Sequence, residues 1–235
     1  MPDDHPGRPR ASASHGRLQQ DGVGWQIVDA HREHAPFLAG VMQAASRSHL
    51  DRGVLDVFVG GSDEECLRFL ELMTLTEARS WANCENFIVG ESNGEAVGAL
   101  CGYFVEDVDV LLGKPAVEVA VQLGWSHDEL VAAWQRIIPN RYVSIDRVPG
   151  AWVVESVAVV PAFRRMGLVS EMLDSILDRG RERGATYAEI SVLIGNDPAQ
   201  RAYEKAGFAV VGEARNPEYE AAFKSPGIRL LRQVL

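Results

Sequence analysis

The run from Trp152 to Val160 constrains the fold more than any other part of the chain, because it is nearly all apolar and rich in valine. A strand without alternating polar and apolar residues is typical of the middle of a sheet that is covered on both faces. One carboxylate, Glu155, interrupts the run. The sequence therefore predicts a layered fold, α/β or α+β, with helices packed on a central sheet.

The residues after this strand alternate between helical and strand-like periodicity. Glycine ends both predicted helices, and proline follows the residue that caps the second one. In chain order we predict a helix from Leu168 to Gly184, a strand at Tyr187–Ile194, a short helix that Asp197 caps and Gly207 ends, and strands at Phe208–Gly212 and Ile228–Leu235.

Short motifs place the elements of the first half. A serine followed three residues later by glutamate is a capping box, which begins helices after Ser62 and Ser126. The Asn93-Gly94 pair favours a hairpin turn, because both residues tolerate positive φ. In chain order we predict a strand at Trp25–Val28, a helix over 33–47, a helix after Ser62, strands at Asn86–Glu91 and Ala96–Val105, and a helix from Ser126 to Pro139.

Composition narrows the domain organisation and the class of protein. Residues 1–24 have almost no large apolar side chain, so we predict a disordered tail before a single domain over 25–235, with a helical insertion at about 106–150. A net charge of −10 argues against nucleic-acid binding. The chain has no apolar run long enough to span a membrane, and its start lacks the apolar core of a signal peptide. We therefore expect a cytoplasmic protein without a membrane partner.

The loop after the central strand combines features that bind phosphate groups. It runs from Pro161 to Gly167 and leads into a predicted helix, whose first backbone N–H groups and dipole attract anions. Gly167 lets the backbone approach a ligand closely, and Arg164 and Arg165 add positive charge. A tight connection is the alternative interpretation. No Gly-Lys-Ser/Thr follows, which disfavours a Walker-type nucleotide loop.

This loop belongs to the first of two motifs. The first reads Val-x-Pro-x-x-Arg-x-x-Gly at Val159–Gly167, and the second reads Asn-x-x-Ala-x-x-x-Tyr-x-x-x-Gly-Phe at Asn196–Phe208. Together they resemble the GNAT superfamily of N-acetyltransferases. The resemblance implies the GNAT fold, a mixed, mostly antiparallel central sheet flanked by helices, with a splayed parallel strand pair that binds coenzyme A. Val169, where the family usually has Gly or Ala, and the long connection over 106–150 depart from the family.

The resemblance also implies where acetyl-CoA binds as a co-substrate. Backbone amides of the loop and helix start would hold its pyrophosphate, and the splayed strand would pair with its pantetheine arm. A backbone N–H near Val159 would polarise the acyl carbonyl, and Asn196 would hydrogen-bond the arm or a water beside it. The implied cofactor-binding residues are Val157, Ala158, Val159, Arg164, Arg165, Met166, Gly167, Leu168, Val169, Ser170, Asn196, Ala199 and Tyr203.

Two side chains are candidates for the proton transfers that acetylation of an amine requires. A primary ammonium is mostly protonated at neutral pH, so a base must remove a proton before the nitrogen attacks. Glu155 is the candidate base, directly or through a water, because a carboxylate buried without partners is costly. The alternative for Glu155 is a structural ion pair with an arginine. By the resemblance, Tyr203 faces the sulfur of coenzyme A as general acid, and the alternative is a tyrosine packed on the sheet.

The function predicted is transfer of an acetyl group from acetyl-CoA to a primary amine, by direct attack in a ternary complex. No cysteine lies in the motif segment, which weakens a covalent route. The alternatives are a non-catalytic acyl-CoA sensor of the same fold, and an acyltransferase with another acyl donor or acceptor. The acceptor, a small molecule or a peptide, and the oligomeric state, a homodimer among the choices, stay open.

The remaining polar residues give two further expectations. The cysteines are scattered and the histidines have no metal-ligand spacing, so we predict buried thiols in a reducing compartment and no metal. Residues 61–130 hold 14 acidic and 3 basic side chains. This segment is either a solvated face or a field that attracts a cationic acceptor, with Glu106, Asp107 and Asp109 at the acceptor cleft.

Overall fold

The computed structural model describes residues 24–108 and 112–235, so the predicted tail lies almost wholly outside the described residues. Seven strands in this part of the chain form one sheet: β1 Gln26–Asp29, β2 Phe87–Ser92, β3 Glu95–Phe104, β4 Trp152–Val159, β5 Tyr187–Leu193, β6 Ala209–Arg215 and β7 Gly227–Val234. The α-helices are α1 Ala35–Arg47, α2 Val54–Val59, α3 Asp63–Met73, α4 Gly113–Gln122, α5 His127–Arg136, α6 Leu168–Glu182, α7 Asp197–Lys205 and α8 Pro217–Phe223. None of the described helices is long and apolar enough to cross a membrane.

The sheet has the strand order β1-β2-β3-β4-β5-β7-β6, and β4–β5 is its parallel pair while the other neighbours are antiparallel. The predicted mixed, mostly antiparallel sheet is therefore confirmed. The hairpin between β2 and β3 turns at Asn93 and Gly94, whose φ angles are 53° and 80°. Both capping boxes form, with Ser62 and Ser126 each accepting a backbone N–H through the side chain.

Strands β4 and β5 separate after a short paired segment. They pair only where Trp152–Val154 meets Ala188–Ile190, although both strands continue beyond that point. On the β3 side, Ala99 pairs with Ala158 and Cys101 with Glu155, so two β4 residues oppose one residue of β3. This β-bulge bends the strand away from its neighbour. We call the gap between β4 after Val154 and β5 after Ile190 the fork.

Helices cover both faces of the sheet, as the apolar β4 run predicts. On one face, α1, α3, α4 and α5 contribute to a core that includes Val153 of β4. On the other face, α6 and α7 pack over Val154. Consecutive β4 residues thus enter opposite cores, which fixes Glu155 on the same face as Val153.

The region before α3, the connection between β3 and β4, and the C-terminal region each hold a helix that we did not predict. Helix α2, helix α4 and helix α8 are absent from the predicted elements. Helix α5 ends at Arg136 rather than at Pro139, because a 3-10 turn over Ile138–Val143 takes up the proline. Val143 then forms a small third core with Tyr219 and Phe223 of α8. The connection therefore reaches both the helical layer and the C-terminal half of the sheet.

Candidate active site

The loop between β4 and α6 ends in unpaired backbone amides. Arg165 and Gly167 both have positive φ, 64° and 99°, and Gly167 is the N-cap of α6. The amide of Glu171 donates to the carbonyl of Gly167 at 3.2 Å, so the amides of residues 168–170 precede the first hydrogen bond of the helix. Together with the helix dipole, three such amides are the chemistry that an anion site requires.

Leu168 fixes the start of α6 against the sheet. Its side chain is buried against Gly90 and Gly98. A Cβ added to Gly90 would lie 2.8 Å from the Leu168 side chain, and one added to Gly98 would lie 3.2 Å from it. Because the side chain belongs to the core, Leu168 offers a ligand only its backbone amide. The two glycines thus let the helix start approach β2 and β3 closely.

The arginines of the loop have different surroundings. Both Arg164 and Arg165 are exposed, but the Arg164 Nε donates to the carbonyl of Val159 at 3.2 Å. Arg164 therefore holds the loop against the end of β4. Ser170 and Gly167 are exposed beside the helix start, while Met166 and Val169 are half-buried.

The main chain of β4 lies open along the fork. Val157 and Ala158 are half-buried and Val159 is mostly buried. On one side, Ala158 and Val159 pair with β3, whereas no β5 residue pairs with them on the other. A ligand that enters the fork can therefore hydrogen-bond to this backbone as an additional strand would.

Asn196 connects the start of α7 to the loop after α1. Its Oδ1 accepts from the amide of Ala199 at 3.3 Å, which makes Asn196 the N-cap, whereas we predicted Asp197. The error is one residue, and it arises because proline occupies the second helical position rather than the first. The Asn196 Nδ2 donates to Ser48 Oγ at 2.5 Å. The predicted contact between Asn196 and a cofactor thus competes with two contacts inside the protein.

Tyr203 lies on α7 and packs in the core under α6, with 7% of its surface exposed. Burial raises its pKa above the ordinary value of 10.0. No described residue hydrogen-bonds its hydroxyl. The group is therefore protonated at neutral pH and can donate a proton to a leaving group.

Glu155 is partly exposed, with 30% of its side chain accessible, and pairs with Arg147. The Arg147 Nη2 donates to Glu155 Oε1 at 3.2 Å. Tyr103 and Cys101 of β3 lie beside the carboxylate, where burial raises the pKa of both and the charge of Glu155 adds to the shift. The structure thus contains the arginine pair that was the alternative for Glu155.

A second carboxylate, Glu189, supports this pair from β5. Its side chain is 0% exposed, and its Oε1 accepts from Arg232 Nε at 2.8 Å and from the amide of Val148 at 3.3 Å. Arg147 Nη1 lies 3.7 Å from Glu189 Oε2. Sequence reasoning missed Arg147 and Glu189. The available signal for Glu189 was the alternation of β5. The apolar residues of β5 share one face of the strand, and Glu189 is a carboxylate on its other face.

A cleft of about 580 Å³ lies between the loop after α1, the end of α5 and α8. Its charged lining residues are Asp51, Arg52, Arg136 and Lys224. His49, which also lines the cleft, lies so close to the end of β5 that a Cβ on Gly195 would be 2.9 Å from its Nε2. The cleft therefore begins next to the fork, although none of the predicted site residues lines it.

The acidic residues proposed for an acceptor cleft lie elsewhere. Asp107 pairs with Arg183 at 2.6 Å, and Glu106 accepts from the amide of Gly150 at 3.1 Å. Both positions follow the end of β3, beside the start of β4 and away from the fork. The hypothesis that these two residues attract the acceptor stays a prediction, and Asp109 lies outside the described residues.

The cysteines and possible metal ligands of the described ranges are the remaining candidates from the sequence. Cys66 and Cys101 are buried and Cys84 is half-buried. No group of three or more His, Cys, Asp or Glu residues in these ranges is arranged to hold a metal ion.

Comparison with known proteins identifies the family. The model for the acetyltransferase (GNAT) family matches residues 61–208. A solved structure of an acetyltransferase is 20% identical with a TM-score of 0.65, and the alignment covers 88% of this chain and 98% of that one. The N-acetyltransferase from Staphylococcus aureus Mu50 is 16% identical with a TM-score of 0.60, over 88% and 98% of the two chains. No match is found among curated proteins. The two structures share the fold, and the family match over most of the sequence, including the loop and the fork, shows that the chain belongs to the GNAT acetyltransferase family.

Proposed function

We propose that this protein transfers an acetyl group from acetyl-CoA to a primary amine, by direct attack within a ternary complex. The observation that carries the proposal is the fork, which opens beside the free amides of residues 168–170. An open strand edge next to a helix start suits a molecule that joins a polar, extended arm to a pyrophosphate.

The residues at the fork fit acetyl-CoA. The amides of 168–170, with Arg165 beside them, would hold the pyrophosphate, and the backbone of Val157–Val159 would bond to the pantetheine arm. Acetyl-CoA supplies the thioester whose carbonyl is attacked. A backbone N–H near Val159 would stabilise the negative charge that develops on the carbonyl oxygen.

Two side chains accept and donate the protons that the reaction moves. The Glu155 carboxylate takes one proton from the acceptor ammonium, directly or through a water, and this frees the nitrogen lone pair for attack. The Tyr203 hydroxyl gives a proton to the sulfur as the carbon–sulfur bond breaks. The nitrogen loses its second proton to solvent, and solvent returns a proton to Tyr203 after the sulfur is protonated. Glu155 then releases the proton that it took to solvent. The products are the acetylated amine, coenzyme A with a free thiol, and one proton.

We propose that the acceptor approaches through the cleft beside His49. The cleft lining holds the cations Arg52, Arg136 and Lys224 against one carboxylate, Asp51. This balance favours an amine that also carries an anionic group, such as an amino acid, over a polyamine.

Coenzyme A release measured with matched amines tests the function. Each pair compares an amino acid with the amine lacking its carboxylate: lysine with cadaverine, and phenylalanine with phenethylamine. We expect thiol release that depends on the amine, with an acetylated product in the mass spectrum and a lower KM for the amino acid of each pair. Binding of acetyl-CoA without release of thiol with any amine would instead support a sensor. Faster turnover with propionyl-CoA would support another acyl donor.

A further inference from the structure

We infer that Arg147 is a positioning residue, which holds the carboxylate of Glu155 in the orientation needed to take a proton from the acceptor. The inference rests on the proposed function, because it gives Glu155 the role of base. It also gives a role to the end of the long connection between β3 and β4.

Hydrogen bonds and packing hold the segment that carries Arg147 against the sheet and the turn after β3. The amide of Val148 donates to the buried Glu189, and the amide of Gly150 donates to Glu106 at 3.1 Å. Upstream, Ile145 packs over β6, where a Cβ on Gly212 would lie 3.3 Å from its Cγ2. The segment is therefore held on the Glu155 face of the sheet, which restricts where the Arg147 side chain can reach.

The guanidinium of Arg147 lies across the fork. Its Nη2 contacts Glu155 of β4 at 3.2 Å and Ser191 of β5 at 3.4 Å, while Nη1 faces Glu189 at 3.7 Å. Glu155 and Ser191 lie just beyond the last paired residues of their strands, Val154 and Ile190. Arg147 is thus held from the β5 side and presents one N–H group to the carboxylate on β4.

This geometry limits the rotation of the Glu155 carboxylate. Glutamate has several rotatable bonds, and a base must lie within hydrogen-bond reach of the proton that it removes. A fixed N–H donor on Oε1 therefore selects one orientation of the carboxylate. Since Arg147 is 22% exposed and Glu155 30%, solvent screens the pair only in part.

A structural role gives a different expectation, because Arg147 also bridges the two strands of the fork. If the bridge only set the width of the fork, its loss would weaken binding of acetyl-CoA. A positioning role affects kcat and leaves the KM for acetyl-CoA unchanged. The two readouts separate the roles in one set of kinetic measurements.

The experiment compares Arg147→Gln, Arg147→Lys and wild type, with acetyl-CoA and the amine of the panel that gives the fastest turnover. We expect Arg147→Gln to lower kcat about 10- to 100-fold, the scale of a misplaced catalytic group, with the KM for acetyl-CoA within about twofold. Arg147→Lys keeps the charge and should recover part of kcat. The control is Arg183→Gln, which removes an ion pair at the other end of β4 and should leave kcat unchanged.

Each outcome has a defined meaning. Unchanged kcat in Arg147→Gln, or a raised KM for acetyl-CoA without loss of kcat, would overturn the inference while the proposed function stands. Full activity of Glu155→Gln would remove the base and the inference with it. Absence of turnover in wild type would refute the proposed function itself. If Arg147→Gln does not fold, Arg147→Lys decides: an unchanged kcat together with a raised KM for acetyl-CoA overturns the positioning role.

Discussion

The two sides of the fork are built from different parts of the chain. On the side where we propose that the pyrophosphate and the pantetheine arm bind, the phosphate side, the groups offered to a ligand are backbone amides of residues 168–170 and the open backbone of β4. On the side where we propose that the acceptor reacts, the acceptor side, they are side chains brought together from β4, β5 and the segment before β4. The phosphate side therefore depends on backbone conformation, and the acceptor side on the identity of single side chains.

The largest expected effect is on the acceptor side. Glu155→Gln should lower kcat by about 10² to 10⁴, the usual contribution of a positioned base. Glutamine is nearly isosteric and can still accept from Arg147, so the fold and the KM for acetyl-CoA should be preserved. Steady-state kinetics and calorimetry with acetyl-CoA measure both quantities. Normal turnover would show that the acceptor side does not depend on this side chain.

Tyr203→Phe comes next, with kcat lower by about 10² and acetyl-CoA affinity nearly unchanged, because proton donation matters only as the thiolate leaves. Burial disfavours the charged tyrosinate and raises the pKa of Tyr203, so the hydroxyl stays protonated as pH rises from 7 to 10. Over that range, wild-type turnover should not fall through deprotonation of Tyr203. The pH–rate profiles of wild type and Tyr203→Phe should therefore have the same shape. A descending limb that the variant lacks, or full activity of the variant, would assign the proton donor to another group.

Gly167→Val should weaken acetyl-CoA binding about tenfold while kcat at saturation stays close to wild type. A side chain at φ 99° is strained by about 1–2 kcal/mol, so the variant should shift the backbone that aims the amides. Gly184 is a matched control: it has φ 89° at the other end of α6, with open space around it. Gly184→Val should lower stability without a change in binding. Equal binding by both variants would contradict a phosphate side at the start of α6.

The smallest effect is expected in the cleft. Arg52→Gln should raise the KM for an amino-acid acceptor about two- to threefold and leave the KM for the matching decarboxylated amine unchanged. Raising the salt concentration should shrink the difference, because exposed charges are screened over about 10 Å at 0.1 M. If neither the substitution nor the salt concentration changes the KM, the acceptor binds outside this cleft.

The difference between the two sides also explains what could be predicted from the sequence. The phosphate side is contiguous in the sequence, because β4, the loop and α6 follow one another. A glycine at a helix start, such as Gly167, indicates close approach of the backbone to a ligand without any knowledge of the rest of the fold. Helix and strand types there are correct. At α7, which follows β5, the predicted N-cap differs from Asn196 by one residue. Local patterns were sufficient because the ligand contacts that we propose there belong to the backbone.

The acceptor side could not be assembled in the same way. Arg147 and Glu189 are 42 positions apart in the chain, and only the crossing of a segment over the sheet brings them together. Helices α2 and α8 have six and seven residues, too few for a helical period to stand out. Glu106 and Asp107 show the same limit, since their charge is visible in the sequence but the end of the sheet that they occupy is not.

A crystal structure with coenzyme A bound tests the central claim most directly. We expect the pyrophosphate on the amides of residues 168–170 and the pantetheine arm along Val157–Val159 within the fork, with the sulfur between Tyr203 and the face that carries Glu155. Coenzyme A bound in the cleft beside His49, or on a surface away from the fork, would contradict the division of the site into a backbone side for the cofactor and a side-chain side for the acceptor.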